Sequence, residues 1–267
     1  MFYAGIDIGS TAAKAVLLNE AKDEVLARRV TPSGWNSRET ADEILTWLLS
    51  LGHERQDLHV TATGYGRVSV PYADSTLTEI TCHGRGAAFL AGKQAASPDG
   101  KGPAALAKLD LTVIDIGGQD TKVIVLKAGR VLDFVMNDKC SAGTGKFLEV
   151  MANRLGVTLP EFFAMAERGK DITISSMCTV FAESEIVSLM GQGTPREDIA
   201  RGAVGSVVAK VVTLAGRKGI NGACFLTGGF CETPLVLQKL GEALGTEVHT
   251  SPDARFAGAI GAALLGK

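Results

Sequence analysis

Short apolar runs alternate with amphipathic segments along the whole chain. Residues 3–8 and 15–18 are apolar runs on either side of Gly9, which predicts two strands joined by a turn. Residues 41–48 carry apolar side chains at helical spacing, and residues 76–91 favour a second helix. This alternation is typical of the α/β class. Further strands are predicted at residues 25–30 and 59–63.

The opening pattern occurs twice. Residues 92–110 contain Gly, Pro and Lys with little periodicity, so we predict a linker or surface loop there. After it, residues 114–117 (IDIG) match residues 6–9 (IDIG), and Lys122 matches Lys14 at the same offset. The distance is too long for a solenoid repeat. The match favours two similar lobes, with chance similarity of two strand–turn–strand segments as the alternative.

Each repeat places a carboxylate, Asp7 or Asp115, at a strand end that runs into a glycine turn. Glycine lets the backbone approach a ligand closely, and successive N–H groups in such a turn form an anion site. Two turns of this kind facing each other would hold a polyphosphate, and both carboxylates would hold Mg²⁺ through waters. A single Asp-x-Gly turn is more often a plain hairpin, so the prediction depends on the repeat.

Two other glycine segments bear on nucleotide binding. Gly228 and Gly229 suit close approach of the backbone to a nucleoside, although an ordinary strand–helix turn has the same sequence. Residues 143–146 (GTGK) look like part of a P-loop, but Cys140 and Phe147 occupy positions where that motif needs Gly and Ser or Thr. The sequence therefore does not predict a P-loop.

Length and charge restrict the class of protein. The 267 residues are enough for about two lobes with a substantial core. A net charge of −2 argues against a nucleic-acid partner, since phosphate contacts need clustered Lys and Arg. The first strand is not preceded by a basic stretch, and the apolar residues 257–265 are too few to cross a bilayer. We therefore expect a cytoplasmic protein with no membrane partner.

The chain has five cysteines, none in a C-x-x-C pair, and disulfides are not expected in the cytoplasm. Cys140 and Cys178 each precede a predicted helix, where backbone N–H groups and the dipole favour a thiolate; a buried, inert cysteine is the alternative. Two thiolates are half of what a 4Fe–4S cluster needs, and a two-fold dimer would supply four. His83 could form a metal pair with Cys82, although a helix-face position is the simpler interpretation. We expect the other three cysteines to be structural: Cys82, Cys224 and Cys231.

Six segments of the sequence resemble the activator component of 2-hydroxyacyl-CoA dehydratases, in the family that includes the ATPase subunits of benzoyl-CoA reductase. The most specific are residues 136–147 (MNDKCSAGTGKF) and 178–185 (CTVFAESE), which generic actin-like kinases lack. The resemblance spans nearly the whole chain, but residues 92–110 are longer than the family's usual connection. The other segments are residues 5–14 (GIDIGSTAAK), 62–67 (ATGYGR), 113–120 (VIDIGGQD) and 227–229 (TGG).

This resemblance implies an α/β, actin-like fold of the sugar-kinase and heat-shock-chaperone ATPase type, with a nucleotide cleft between two similar lobes. Residues 1–109 plus 253–267 would form the first lobe, and residues 110–252 the second, which carries the cluster cysteines. It also implies a homodimer that shares one 4Fe–4S cluster through Cys140 and Cys178 and uses ATP and Mg²⁺.

The activity implied is that of an ATPase that donates single electrons. Such activators take an electron from ferredoxin or flavodoxin and pass it to a partner iron–sulfur enzyme, here a 2-hydroxyacyl-CoA dehydratase, as ATP is hydrolysed. A double-cubane cluster protein or a benzoyl-CoA-type reductase is the alternative partner. Two rival functions are an actin-like small-molecule kinase without a cluster and a nucleotide-dependent scaffold.

The predicted site has three groups of residues. The catalytic residues are Asp7, Asp115 and Gln119, of which Asp7 and Asp115 also hold Mg²⁺ through water, and the cluster ligands are Cys140 and Cys178. The residues expected to contact ATP are Gly9, Ser10, Thr11, Ala12, Ala13, Lys14, Gly117, Gly118, Gly143, Thr144, Gly145, Gly228 and Gly229.

Overall fold

The computed structural model describes residues 1–95, 110–175, 178–220 and 222–267. The chain forms two compact units. Unit 1 comprises Met1–Leu111, Leu126–Leu132 and Ser251–Lys267, and unit 2 comprises Thr112–Val125 and Asp133–Thr250. The predicted lobe boundary at residue 110 stays a prediction, because residues 96–109 lie outside the described part of the chain.

Unit 1 contains a sheet of five strands in the order β3-β2-β1-β4-β5. β1 pairs antiparallel with β2 and parallel with β4, so that Asp7 lies opposite Lys14 on one side and Thr63 on the other. The edge strand β3 alternates between partly buried and exposed residues, as expected where only one face is covered. The strands are β1 Phe2–Ile8, β2 Ala12–Leu18, β3 Val25–Pro32, β4 Leu58–Thr63 and β5 Ser75–Thr76, which confirms the four that were predicted.

Two helices follow in the first half of the chain, α1 (Ser37–Ser50) and α2 (Glu79–Ala95). The side chain of Asn36 caps α1 by accepting from the Arg38 N–H, and α1 ends at Ser50, with Leu51 as its C-cap residue. The prediction of a loop from residue 92 is wrong for residues 92–95, which are helical in α2. Lys, Gln and Ala there have high helix propensity, which carries the helix past its last apolar repeat.

Unit 2 is built around a second sheet, in the order β10-β9-β6-β7-β8. If β6, β7, β8, β9 and β10 are taken as the counterparts of β1, β2, β3, β4 and β5, the two sheets have the same strand order. The turns also match, since the Gly9 N–H donates to the Ala12 carbonyl (3.2 Å) and the Gly117 N–H to the Asp120 carbonyl (2.9 Å). The repeat in the sequence is therefore a structural repeat. The strands are β6 Leu111–Ile116, β7 Thr121–Lys127, β8 Arg130–Asn137, β9 Ala223–Gly228 and β10 Val248–His249.

Among the residues that the structure describes, five helices complete unit 2. Helix α6 (Arg196–Gly216) alone, within the described part of the chain, is long and apolar enough to span a membrane, and 56% of its apolar window is buried within the protein. That burial is typical of a core helix. The helices are α3 Gly145–Arg154, α4 Leu159–Arg168, α5 Thr179–Gly191, α6 Arg196–Gly216 and α7 Pro234–Leu244.

The C-terminal helix α8 (Ala257–Leu265) returns to unit 1 and packs against α2 and β1. The approach to α2 is so close that a Cβ on Gly261 would lie 1.8 Å from the Cys82 carbonyl oxygen. Cys82 is fully buried in this contact, in agreement with its predicted structural role.

Candidate functional site

The second Asp–Gly turn is held by an internal ion pair. Asp115 is the penultimate residue of β6 and has only 2% of its surface exposed, and its Oδ1 accepts from the Thr227 hydroxyl at 2.9 Å. The Nζ of Lys122 lies 3.4 Å from Asp115 Oδ2 and 2.7 Å from Asp120 Oδ1, with 1% of the Lys122 side chain exposed. The lysine of this repeat therefore neutralises two buried carboxylates instead of extending toward a ligand.

The start of α3 lies directly on the same turn. The N–H of Gly145 donates to the Gly117 carbonyl (2.9 Å), and the N–H of Lys146 donates to the Gly118 carbonyl (2.7 Å). These are N–H groups of the first helical turn, which have no partner within their own helix. The turn supplies those partners.

Two further glycine segments meet this turn. The hydroxyl of Thr121 donates to the Gly143 carbonyl at 2.6 Å. Gly228 has φ +89°, and a Cβ there would lie 2.3 Å from the Ile116 carbonyl oxygen, which also accepts from the Gly229 N–H at 3.1 Å. Unit 2 thus brings together three segments predicted to bind ATP, residues 117–118, 143–145 and 228–229. Gln119 is exposed at the tip of the turn.

The first Asp–Gly turn, in unit 1, has a different environment. Asp7 is 2% exposed, and the Nζ of Lys14 is 4.0 Å from its Oδ2, with 18% of the Lys14 side chain exposed. Ala12 occupies the place that Asp120 has in the second repeat, so this repeat has no carboxylate at that position to pair with Lys14. Ser10 and Thr11 are exposed at the turn, whereas Ala13 is buried.

Two residues beside Asp7 were not assigned to the site from the sequence. The Nε2 of His83 lies 3.7 Å from Asp7 Oδ2 and 3.7 Å from Glu79 Oε1. Ligand atoms of these three residues all lie within 4.8 Å of one another, a donor set that fits a divalent cation. The signal was the i,i+4 spacing of Glu79 and His83 on one face of the predicted helix.

The two candidate cluster cysteines are both exposed. Cys178 is the N-cap residue of α5, as predicted. Cys140 precedes α3, as predicted, but residues 141–144 form a turn between them, and Thr144 is the N-cap residue. Gly143, at φ +84°, lies in this turn.

A hydrogen bond brings the two cysteine segments together. The hydroxyls of Ser141 and Thr179, the residues that follow Cys140 and Cys178, are 2.7 Å apart. The side-chain amide of Asn137 donates to the Cys140 carbonyl at 2.8 Å. The positions of both exposed cysteines are therefore coupled within unit 2.

The other three cysteines, Cys82, Cys224 and Cys231, are buried. Burial raises the pKa of the Cys82 thiol to about 12, and burial likewise raises the pKa of the Cys224 thiol to about 12. A thiol with so high a pKa is not a thiolate ligand at neutral pH, which agrees with the structural role predicted for Cys82 and Cys224.

An apolar surface adjoins Cys178 on α5. Val180 and Phe181 are each 67% exposed, and Val187 and Met190 also have large exposed fractions. Large exposed apolar side chains clustered on one helix are typical of a surface that another protein covers.

The chain matches the model of the BadF/BadG/BcrA/BcrD ATPase family over residues 4–266. It is 42% identical over 267 residues to the (R)-2-hydroxyglutaryl-CoA dehydratase activating ATPase of Acidaminococcus fermentans. The alignment covers 99% of this chain and 96% of that protein. The activator of lactoyl-CoA dehydratase of Anaerotignum propionicum is 40% identical over 267 residues, 99% of this chain and 96% of the relative.

Solved structures show the same fold. Component A of the Acidaminococcus fermentans (R)-2-hydroxyglutaryl-CoA dehydratase has a TM-score of 0.88 at 40% identity, covering 100% of this chain and 97% of that one. The activator of the 2-hydroxyisocaproyl-CoA dehydratase from Clostridium difficile, with bound ADPNP, has a TM-score of 0.87 at 35% identity, covering 100% and 94%. A ROK family glucokinase from Streptomyces griseus is similar in fold alone. It has a TM-score of 0.61 at 16% identity, and the match covers 100% of this chain and 99% of the glucokinase chain. The predicted α/β, actin-like fold is confirmed, and the chain belongs to the BadF/BadG/BcrA/BcrD ATPase family.

Proposed function

We propose that this protein is an ATP-driven one-electron donor that shares one 4Fe–4S cluster with a second copy of itself and reduces a partner iron–sulfur enzyme. One observation carries the proposal: Cys140 and Cys178 are both exposed, and the residues that follow them are hydrogen bonded to each other. Three other cysteines are buried, so the exposure is selective.

ATP is the proposed energy source. The convergence of three glycine segments around Asp115 supports binding of phosphates by backbone N–H groups. In unit 1, Lys14 supplies a cation that is partly exposed, and the exposed Ser10 and Thr11 supply hydroxyl donors. We assign Asp7, Asp115 and Gln119 to catalysis. The ADPNP bound to the Clostridium difficile relative supports a nucleotide site.

Mg²⁺ would be held differently by the two carboxylates. Asp7 lies with Glu79 and His83 in a donor set of the right chemistry for a divalent cation. Asp115 is already paired with Lys122, so its contact to Mg²⁺ would run through water. The cation would supply charge neutralisation of the nucleotide phosphates.

The residues present fit an iron–sulfur cluster. Two thiolates from each chain, Cys140 and Cys178, would complete a set of four in a two-fold symmetric dimer. The exposed Val180 and Phe181, next to Cys178 in the chain, would be covered in that dimer. Such a cluster supplies one-electron transfer at low potential.

The partner we propose is a 2-hydroxyacyl-CoA dehydratase, because the relatives quoted above are named for that class of enzyme. A double-cubane cluster protein or a benzoyl-CoA-type reductase is the alternative partner. Ferredoxin or flavodoxin would supply the electrons, and all of these proteins would meet this one in the cytoplasm.

The test is iron content after strictly oxygen-free purification and reconstitution. We expect a brown homodimer with about four iron atoms, as a single 4Fe–4S cluster requires. Cys140→Ser and Cys178→Ser should each abolish the colour, whereas the matched control Cys224→Ala, at a buried position, should retain it. A colourless wild-type protein that still hydrolyses ATP would contradict the proposal and favour the actin-like kinase or the scaffold.

A further inference from the structure

We propose that the hydroxyl pair Ser141–Thr179 positions the two cluster thiolates and connects them, through the start of α3, to the second Asp–Gly turn. This inference rests on the proposed function, which assigns Cys140 and Cys178 as cluster ligands. The inference adds two positioning residues and a hydrogen-bonded connection, inside unit 2, between the cysteines and the turn.

The first step is the hydroxyl pair itself. The Ser141 and Thr179 oxygens are 2.7 Å apart and partly buried. Each hydroxyl belongs to the residue directly after a cysteine, so its Cα is about 3.8 Å from that of the cysteine. Holding the two hydroxyls together therefore restricts how far Cys140 and Cys178 can separate.

The second step is that the backbone of residues 140–144, between Cys140 and α3, is also fixed by hydrogen bonds. The Asn137 side-chain amide donates to the carbonyls of Cys140 (2.8 Å) and Ala142 (2.9 Å). Thr144 donates to the Ser141 carbonyl from its N–H (3.0 Å) and from its hydroxyl (2.7 Å). Ser141 is thus anchored by its backbone to the start of α3 and by its side chain to the start of α5.

The third step connects this loop to the turn. The N–H groups of Gly145 and Lys146 donate to the carbonyls of Gly117 and Gly118. A ligand that displaces the turn must either move the first turn of α3 or break these two hydrogen bonds. Because Thr144 joins that helix end to Ser141, the displacement reaches both cysteine segments through packed, hydrogen-bonded groups.

The inference predicts a specific effect of removing either hydroxyl. Ser141→Ala and Thr179→Val should release iron to a chelator roughly five- to tenfold faster than the wild type, the factor expected for one hydrogen bond. Ser141→Thr and Thr179→Ser keep a hydroxyl and should release iron at close to the wild-type rate. Ser188→Ala is the matched control on α5, since its hydroxyl donates to the Ser184 carbonyl of its own helix.

A second measurement needs no iron. In the iron-free wild type, ADPNP should slow hydrogen exchange at the first amides of α3 and also at residues 179–182 of α5. In Ser141→Ala the protection should remain in α3 and be lost in α5. Thermal unfolding of each variant, with the Ser141→Thr variant as a rescue, separates this effect from a failure to fold.

The two measurements distinguish the possible failures. A wild-type protein that holds no iron overturns the proposed function, while hydrogen exchange still decides whether the hydroxyl pair connects the segments. Variants that match the wild type in iron release, and keep the nucleotide-dependent protection of α5, overturn the inference itself.

Discussion

Lys14 and Lys122 occupy equivalent places in the two repeats but have different surroundings. Lys122 is buried with its Nζ 2.7 Å from Asp120, whereas Lys14 is partly exposed and 4.0 Å from Asp7. One sequence difference, Asp120 in place of Ala12, accounts for the contrast. We interpret Lys122 as a residue that stabilises the turn and Lys14 as the lysine available to phosphate.

Replacing Lys122 with Met tests this interpretation. The variant should lose about 3–5 kcal/mol of unfolding free energy, because two buried carboxylates lose their counter-charge. Lys14→Met is the matched control and should cost about 1 kcal/mol or less, as expected for a longer and partly exposed contact. Urea unfolding followed by circular dichroism measures both values, and equal losses would contradict the assignment.

A second prediction concerns pH and the ion pair of Arg55 with Asp74. Burial alone would raise the Asp74 pKa, but the Val60 N–H at 2.7 Å and the Arg55 guanidinium at 2.9 Å outweigh it, so the pKa is lowered. A lowered pKa in the folded state stabilises the protein above the unfolded-state pKa of about 4. That stabilisation disappears as the pH falls through the folded-state pKa.

Asp74→Asn should therefore be less stable than the wild type at pH 7, and the difference should shrink below about pH 4. Unfolding free energies measured in urea across this range give the comparison. A difference that does not change with pH would show that the carboxylate charge is not its source.

The sequence predicted some residues of the site and not others, for physical reasons. Asp7 and Asp115 were found because each ends a strand in a repeated pattern. Glu79 and His83 were not assigned to the site, because their closeness to Asp7 depends on how α2 packs in unit 1. The burial of Lys122 depends on the direction of a long side chain, which strand periodicity does not specify.

At the scale of elements, apolar patterns predicted the long strands and helices, whereas boundaries depended on local contacts. The apolar repeat of α3 first appears at Phe147 and does not reveal that residues 141–144 form a turn before Gly145. The two-residue strands β5 and β10 are too short to show any periodicity. The last residues of α2 are helical because of their helix propensity, although the apolar repeat ends before them.

The contact of α8 with α2 leads to a third prediction. Gly261→Ala should cost about 1–3 kcal/mol, because the added methyl group would overlap the Cys82 carbonyl and push two helices apart. Gly205→Ala in α6 is the matched control, since among the described residues a Cβ there meets no atom within 4 Å beyond its own turn of helix. It should be neutral or stabilising by up to about 1 kcal/mol through helix propensity.

Thermal unfolding followed by circular dichroism compares the two alanine variants. Similar melting temperatures for both would contradict the close packing of α8 on α2.

At the scale of the whole molecule, we expect the nucleotide state to change the energy of the reduced cluster. Shifting a two-state equilibrium from 1:99 to 99:1 takes about 5.5 kcal/mol. For one electron this corresponds to a shift of about 240 mV, at about 59 mV for each tenfold change. A shift on this scale should be measurable as a difference in midpoint potential between the ADP and ADPNP forms.

Anaerobic redox titration monitored by electron paramagnetic resonance gives both potentials. Ser188→Ala should show the wild-type difference, since the Ser188 hydroxyl donates to the Ser184 carbonyl within α5. Identical potentials in the two nucleotide states would exclude coupling by potential and leave gated exposure of the cluster to its partner.

The unequal burial of the five cysteines also determines how the protein should react with alkylating reagents. Iodoacetamide should modify two sulfurs in each native, iron-free chain, at Cys140 and Cys178, and all five after denaturation. Iron binding would protect the two reactive sulfurs. The mass of the native, alkylated chain would thus report the fraction of chains that carry metal, even in samples too dilute for their colour to be seen.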